Sequence, residues 1–364
     1  MSQESHSPFL MSPSDICSNG VLFLTKQTEW YGRYSGYYEQ LPKQIQKCGC
    51  KISAVQPRRN LGNRLIGKAW SVLRGLPARD QALTAAELRF RFRFERSHGI
   101  GHILNVEEHL PLLQQWKNAP RNLVATIHFP AGLVDEKAKE SLRQLHSAIV
   151  LYRTDLEFYE QLIGKGRVQF VPHGVDTDFF VPADSRRTDD PPRILFIGQF
   201  YRDFALLRGV VERLIAIHPH LRFDFVIAPH AMDREDLTRL KSRPEISWHH
   251  RISDEALRTL YQKSALLLLP MLVSGANNAV VEALACGLPV VTNNVGGICD
   301  YGFGSIFPLV PAPTVEGMTG LVEDYLNHTA LREETARACR RFAEETLAWP
   351  VVARRHLEIY RTLL

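Results

Sequence analysis

The chain has 364 residues, 45% of them hydrophobic and 23% charged, with a formal net charge of +5. This length exceeds one usual core and points to two domains. The composition excludes a disordered or fibrous chain, and no apolar run approaches the ~18 residues of a membrane-spanning helix.

The charge is unevenly placed. Residues 41–96 carry 13 Lys or Arg against 3 Asp or Glu, a local +10 that leaves −5 for the remainder. Such an excess suits an anionic partner, whether a membrane surface, a lipid-linked phosphate or a charged glycan; a solvated helix face is the alternative. No nucleic acid is expected. The N-terminal MSQESHSPFLMSPSD is polar and lacks the basic start and apolar core of a signal peptide. The six cysteines, at 17, 48, 50, 286, 299 and 339, form neither a disulfide framework nor a metal-ligand spacing, which suits a reducing cytoplasm. Peripheral contact with the inner face of an anionic membrane through residues 41–96 fits the charge.

Short apolar runs and helical stretches alternate along the chain. Strands are expected at Val21–Thr25, Lys51–Val55, Gly101–Asn105, Leu123–Ile127, Ala148–Tyr152 and Val168–Val171. Helices are expected at Tyr37–Lys47, Gln81–Arg96, Leu110–Trp116, Asp135–Leu145 and Asp155–Ile163. The polar, proline-rich Val181–Pro192 reads as a linker. The pattern then restarts, with strands at Ile194–Ile197, Phe223–Ile227, Ile246–His249, Ala265–Leu269, Pro289–Thr292 and Ser305–Phe307. Helices follow at Phe204–Ile217, Arg234–Lys241, Asp254–Lys263, Asn277–Cys286, Val315–Leu326 and Leu331–Thr346. This βαβ alternation predicts an α/β protein of two doubly wound, Rossmann-like domains facing across a cleft, with ligands at the carboxyl ends of the strands. The expected division is 1–180, a linker at 181–192, 193–349, and a C-terminal helix at 350–364 crossing back to the first domain.

The segment PMLVSGANNAVVEALACGLPVVTNNVGG, Pro270 to Gly297, carries the most chemistry. It reads as the end of a strand, a Gly- and Asn-rich turn, a helix, a strand and a Gly-Gly turn. The helix start offers unpaired N–H groups and the positive end of its dipole, which suits a phosphate or diphosphate. Asn277 and Asn278 can cap the helix or contact the ligand, and Gly275 lets the backbone present N–H groups. Glu282, one turn in, can accept bonds from sugar hydroxyls; otherwise it is a solvent-facing helix glutamate. Gly198 ends an apolar strand, and Arg202 beyond it can bridge two phosphate oxygens, or is simply a surface arginine. His128, in Thr126-Ile127-His128-Phe129-Pro130, can bond a sugar hydroxyl or carry a proton, or is a satisfied strand-end histidine. Gly36, between a strand and a helix, allows close backbone approach to a ligand or marks a helix-start turn.

Several segments, in order, resemble retaining GT-B glycosyltransferases of the glycosyltransferase family 4 (group 1) type. They are RVQFVPHGVDTDFFVP, RILFIGQF, ISDEALRTLYQKSALLLLP, VVEALACGLPVVTNNVGG and the closing HLEIYRTLL with Trp349-Pro350. The resemblance covers about 166–364 closely and 20–165 more weakly, through Gly36 and ATIHFP. It implies a nucleoside-diphosphate sugar as donor and co-substrate, with no cofactor besides it, and a glycan or lipid-linked acceptor in envelope or polysaccharide biosynthesis. It implies transfer with retention and without a metal. Glu282 matches the second glutamate of a paired motif assigned to the ribose. The first glutamate is replaced by Ser274, and the usual diphosphate arginine by Gln199. His250, Arg251 and Ile252 sit where the fold frames the base. His128, Arg202 and Ser274 are the expected catalytic set. The alternative, given Ser274 and Gln199, is a degenerate, non-catalytic protein that binds sugar nucleotides or a partner. Asp176-Thr177-Asp178 lies inside the Gly-Val-Asp turn and reads as structural rather than metal-binding.

Overall fold

Runs of four or five consecutive apolar residues are buried on both faces only in a parallel sheet covered by helices on each side. The computed structural model describes residues 19–26, 33–34, 38–75, 79–184, 191–310 and 312–364, and within them the runs form two such sheets. The first contains β1 (Val21–Leu24), β2 (Ile52–Val55), β3 (Ile100–Ile103), β4 (Leu123–Ile127), β5 (Ser147–Val150) and β6 (Val168–Phe170). All are parallel, in the order β2-β1-β3-β4-β5-β6. The second contains β7 (Arg193–Ile197), β8 (Arg222–Val226), β9 (Ile246–His249), β10 (Leu266–Leu269) and β11 (Val290–Thr292), parallel in the order β11-β10-β7-β8-β9. The chain reverses its direction of travel across the second sheet between β7 and β10. Such a switch point opens a crevice at the carboxyl ends of the two strands.

Local signals explain most helix starts. Ser253 Oγ accepts the Ala256 N–H and Thr314 Oγ1 the Gly317 N–H, each capping the helix that follows. Elsewhere the structure corrects the sequence. Ser305–Phe307 is not a strand: Gly302 and Gly304 take positive φ and fold the chain into a turn closed by Phe307 N–H on the Gly302 carbonyl. The helix expected over Arg234–Lys241 is the single turn Glu235–Thr238. The helix Thr329–Phe342 passes into a wider π turn at Ala343–Leu347. A helix absent from the expected set, Leu61–Arg74, is capped by Asn60, whose side chain accepts the Asn63 N–H, and ends at the left-handed Gly75. Cys50 is disulfide-bonded, against the expectation of no disulfide framework, while Cys48 and Cys299 carry free thiols. The N-terminal tail, Gly36 and part of the expected linker lie outside the described residues.

Two crossings join the sheets, and they pair with each other. Val175 donates its N–H to the Leu347 carbonyl at 2.9 Å, and Trp349 returns its N–H to the Val175 carbonyl at 3.2 Å. The helix Trp349–Arg361 then lies against the first sheet, burying Trp349, Val352, Ala353 and Tyr360 with Val21, Phe23, Leu41 and Ile45. A polar seam runs through this apolar contact. His356 Nδ1 donates to the Val352 carbonyl at 2.8 Å, so its Nε2 accepts the Tyr38 hydroxyl at 3.1 Å. His102 bridges the Tyr360 hydroxyl (2.6 Å) and Thr126 Oγ1 (2.8 Å).

Burial pushes the His356 imidazole down to about 4. Burial, with His128 nearby, pushes His173 down to about 3. Both fall below the ordinary value near 6.5. The unfolded chain therefore takes up protons that the folded chain refuses, so this stability is complete above pH ~6.5 and is lost as pH falls toward 4. Thermal melts from pH 7 down to pH 5 are expected to show falling stability, on the order of 2 kcal/mol per buried imidazole at the acidic end. His356→Gln should melt with a shallower pH slope; parallel curves for the variant and the wild type would remove His356 from the effect.

Candidate functional site

The switch point of the second sheet holds a half-buried cation. The chain leaves β7 through Gly198, whose φ of +99° is open to glycine, and turns back through Tyr201, also at positive φ. Arg202 then pairs as an isolated bridge with Met271, which follows β10. Its guanidinium folds under the loop. Nε donates to the Ile197 carbonyl and Nη1 to the Phe200 carbonyl, both at 3.1 Å, while Nη2 reaches Asn277 Oδ1 at 3.4 Å. These acceptors are neutral. Burial lowers the guanidinium to about 10, so it remains charged at neutral pH.

Asn277 begins the helix Asn278–Ala285 in extended conformation, not the left-handed one its side chain tolerates. It does not cap the helix with its side chain; its amide instead meets Arg202 and, at 3.2 Å, the Met271 sulfur. Its carbonyl accepts the Val280 and Val281 N–H groups. The first N–H groups, of Asn278 and Ala279, thus open the helix beside Arg202. Helix dipole and guanidinium add in sign at one place.

Glu282 lies one turn inside this helix and is buried, which excludes the solvent-facing alternative. Its Oε2 accepts the Tyr261 hydroxyl at 2.8 Å. Burial and the Glu282 carboxylate raise the Tyr261 phenol well above its ordinary range, so the phenol stays a donor. Tyr261 and Glu282 thus form a buried hydrogen-bonded pair one turn inside the helix start.

The two replaced family positions are engaged internally. The Ser274 side chain is buried and donates to the Gly275 carbonyl at 3.1 Å. Gln199 Oε1 accepts the Ala228 N–H at 3.2 Å, tying the loop after β7 to the one after β8. His250, Arg251 and Ile252 follow β9 on the same rim; Arg251 takes positive φ, and the first two are exposed. Arg208, a lesser phosphate candidate, pairs with Asp236 at 2.8 Å. Asp176 Oδ1 accepts the Asp178 and Phe179 N–H groups, which accounts for that carboxylate as a turn element.

The first sheet brings His128 to the other wall. Nε2 faces the Leu104 carbonyl at 2.8 Å and must donate to it, which leaves Nδ1 as the basic nitrogen. Glu107 Oε1 accepts the backbone N–H groups of His128 and Phe129, and the Tyr38 ring meets the imidazole edge-on. Tyr152, at the end of β5, donates to the His128 carbonyl at 3.2 Å. The lobes meet here. A Cβ on Gly275 would lie 3.1 Å from the Tyr152 ring and 3.4 Å from the His128 carbonyl oxygen, and one on Gly297 only 2.3 Å from Tyr152 Cβ. Tyr301 locks the joint, donating to the Leu151 carbonyl (2.9 Å) and accepting the His173 N–H (3.1 Å).

His128, Gly275, Asn277, Asn278, Gly198 and Arg202 therefore line one continuous region, whereas Ser274 and Glu282 support it from beneath. Glu107, Tyr152 and Tyr261 were missed. Glu107 sits in the 3-10 turn Val106–His109 after β3, Tyr152 two residues past β5, and Tyr261 on the buried face of the helix Asp254–Lys263, and no local motif marks any of them.

Comparison with known proteins speaks to the family and the fold. Residues 191–327 match the family Glycosyl transferases group 1. The gpi3 subunit of phosphatidylinositol N-acetylglucosaminyltransferase from Schizosaccharomyces pombe is 28% identical over 212 residues, 54% of this chain and 44% of that protein. D-inositol 3-phosphate glycosyltransferase from Corynebacterium urealyticum is 25% identical over 338 residues, 79% of this chain and 77% of that one. The chain spans about half the length of several curated relatives, 44% of the gpi3 subunit and 56% of a Mycobacterium tuberculosis alpha-maltose-1-phosphate synthase. Among solved structures, sucrose-phosphate synthase from Thermosynechococcus elongatus superposes with a TM-score of 0.72 at 16% identity, covering 94% of this chain and 99% of that one. Anabaena HepE, solved with UDP and glucose, gives 0.66 at 12% identity, covering 94% and 99%.

Gly198 makes the Arg202 pose possible, because a Cβ there would sit 2.7 Å from Nη2 on a backbone with positive φ. Gly198→Ala is expected to cost about 1–3 kcal/mol in thermal or urea unfolding. An unchanged melting curve would mean that neither the strain nor the contact is real.

Proposed function

Segment 191–327 belongs to the group 1 glycosyltransferases and the whole chain has the GT-B fold, and from that premise we propose that the protein moves a hexose from a nucleoside-diphosphate sugar to a hydroxyl acceptor. One observation carries this: a half-buried guanidinium, held by neutral oxygens, beside a helix start whose cap residue turns its side chain away. A diphosphate supplies the charge that this arrangement lacks, and charge grows on it as the sugar leaves. Asn278 and Ala279 would meet one phosphate and Arg202 the other. The platform of Tyr261 and Glu282 would keep the helix start in place, with a ribose hydroxyl as an added partner for the carboxylate.

On the facing wall His128 would orient the sugar through Nδ1. As the family resemblance implies, the acceptor attacks from the face the diphosphate leaves, and a departing phosphate oxygen takes the acceptor proton. Anomeric configuration is then retained, and neither metal nor cofactor is required. The contact of Gly275 with Tyr152 and His128 supports a cleft closed against water. The acceptor would be a glycan or lipid-linked molecule; two relatives are named for phosphatidylinositol and inositol phosphate, and the basic segment 41–96 suits a phosphorylated acceptor. Cytoplasmic action at a membrane face belongs to the same proposal. No helix among the described residues is long and apolar enough to cross a membrane.

A second reading, a sugar-nucleotide binder without turnover, is favoured by the internal engagement of Ser274 and Gln199. Thermal shift with UDP, GDP and ADP, followed by hydrolysis and transfer assays on their sugars, separates the two. A nucleotide at a hundredfold excess over its Kd should stabilise the fold by about 2.7 kcal/mol. Arg202→Gln should remove most of that gain while still folding. Binding with no hydrolysis or transfer across the donors would favour the binder, and an unchanged shift in Arg202→Gln would take the diphosphate away from this site.

A further inference from the structure

We propose that the helix Leu61–Arg74 is a docking element that lies flat on an anionic lipid bilayer. The helix is built with its faces reversed. The side packed on the protein carries Asn63, Gly67 and Ser71, the three buried positions, spaced four apart. Gly67 lets the helix press against the next one, Gln81–Phe94, since a Cβ would fall 1.9 Å from the Gln81 carbonyl oxygen. Arg89 bonds Asn63 Oδ1 at 2.6 Å, and Ser71 bonds Gln81 at 3.3 Å. The inward contacts are thus small and polar.

The outward face holds the large apolar side chains. Leu61 is 72% exposed, Leu65 59%, Val72 75% and Leu73 74%, with Ile66 beside them. At 100° per residue these positions fan over roughly 140° of the helix surface, opposite Asn63, Gly67 and Ser71. Folding alone gives no reason for that stripe, because exposed leucines in a row favour aggregation. The flanks name the partner. Arg58, Arg64, Lys68 and Arg74 are all exposed, and no Asp or Glu occurs from residue 51 to 79. An apolar stripe bordered by cations suits the headgroup–acyl boundary of an anionic membrane, with leucines inserted and basic groups at the phosphates. A protein partner or a second copy would instead have to present an acidic rim matched to these cations.

Position adds to this. The helix follows β2, at the edge of the first sheet, and its entry loop leaves the carboxyl end of that strand, the same edge at which His128 follows β4. A bilayer under the helix would lie beside the cleft. The docking claim does not depend on which reaction the cleft performs.

The test is flotation of the full-length protein with phosphatidylcholine vesicles, with and without phosphatidylglycerol. The wild type should float with the anionic vesicles and poorly with the neutral ones, and added salt should release it. L65D/L73D should lose at least tenfold in partitioning while melting at the wild-type temperature, since both side chains stand in solvent. R64Q/K68Q, which keeps the apolar stripe, should lose about fivefold per cation on anionic vesicles only. If L65D/L73D melts low, R64Q/K68Q decides alone. Equal flotation on both vesicles, no flotation, or retention by R64Q/K68Q would overturn the proposal. So would a dimer in light scattering that L65D/L73D dissociates.

Discussion

A guanidinium partly withdrawn from water needs negative charge or dense hydrogen bonding, and Arg202 has only neutral acceptors among the described residues: two main-chain carbonyls and one amide. Much of the second domain is arranged around that constraint. Gly198 supplies the left-handed turn that leaves room for the side chain. The Tyr201 carbonyl accepts the Leu272 N–H and the Pro270 carbonyl accepts the Asp203 N–H, which brings the two switch-point loops together, and Asn277 turns from its helix toward the cation. A site in this state is poised for an anion. The helix start adds its own positive potential in the same direction.

The first lobe is held to that anion site by contacts that tolerate little change. Gly275 and Gly297 let the second lobe reach Tyr152, which in turn holds the His128 carbonyl. The crossings at Val175 and Trp349 pair main chain to main chain, so the lobes share a joint as well as a cleft. Glu107 fixes the backbone of His128, and the Leu104 carbonyl fixes its ring. His128 on this lobe is therefore a histidine of set tautomer rather than a free side chain.

Much of this was legible in the sequence. The alternation of short apolar runs gave both sheets nearly to the residue, because parallel strands buried on two faces leave an unmistakable pattern. The Gly- and Asn-rich turn before Glu282 located the helix start, and Arg202 stood out as a cation close after a strand. Other features depend on contacts distant in sequence. Nothing local says that Glu282 is buried against Tyr261, or that Ser274 turns its hydroxyl onto Gly275. Ser305–Phe307 looked like a strand because its flanking glycines were read as punctuation rather than as the turn itself. The helix Leu61–Arg74 left a helical stripe of Leu61, Leu65, Ile66, Val72 and Leu73 in the sequence; what spacing alone does not say is that this stripe faces outward.

The most direct measurement is a crystal structure of the protein with the nucleoside diphosphate that stabilises it. Phosphate oxygens should lie within hydrogen-bonding reach of the Arg202 guanidinium and of the Asn278 and Ala279 N–H groups, with His128 across the cleft. A nucleotide seated elsewhere, with Arg202 still bound to the Ile197 and Phe200 carbonyls and no phosphate near it, would contradict the account.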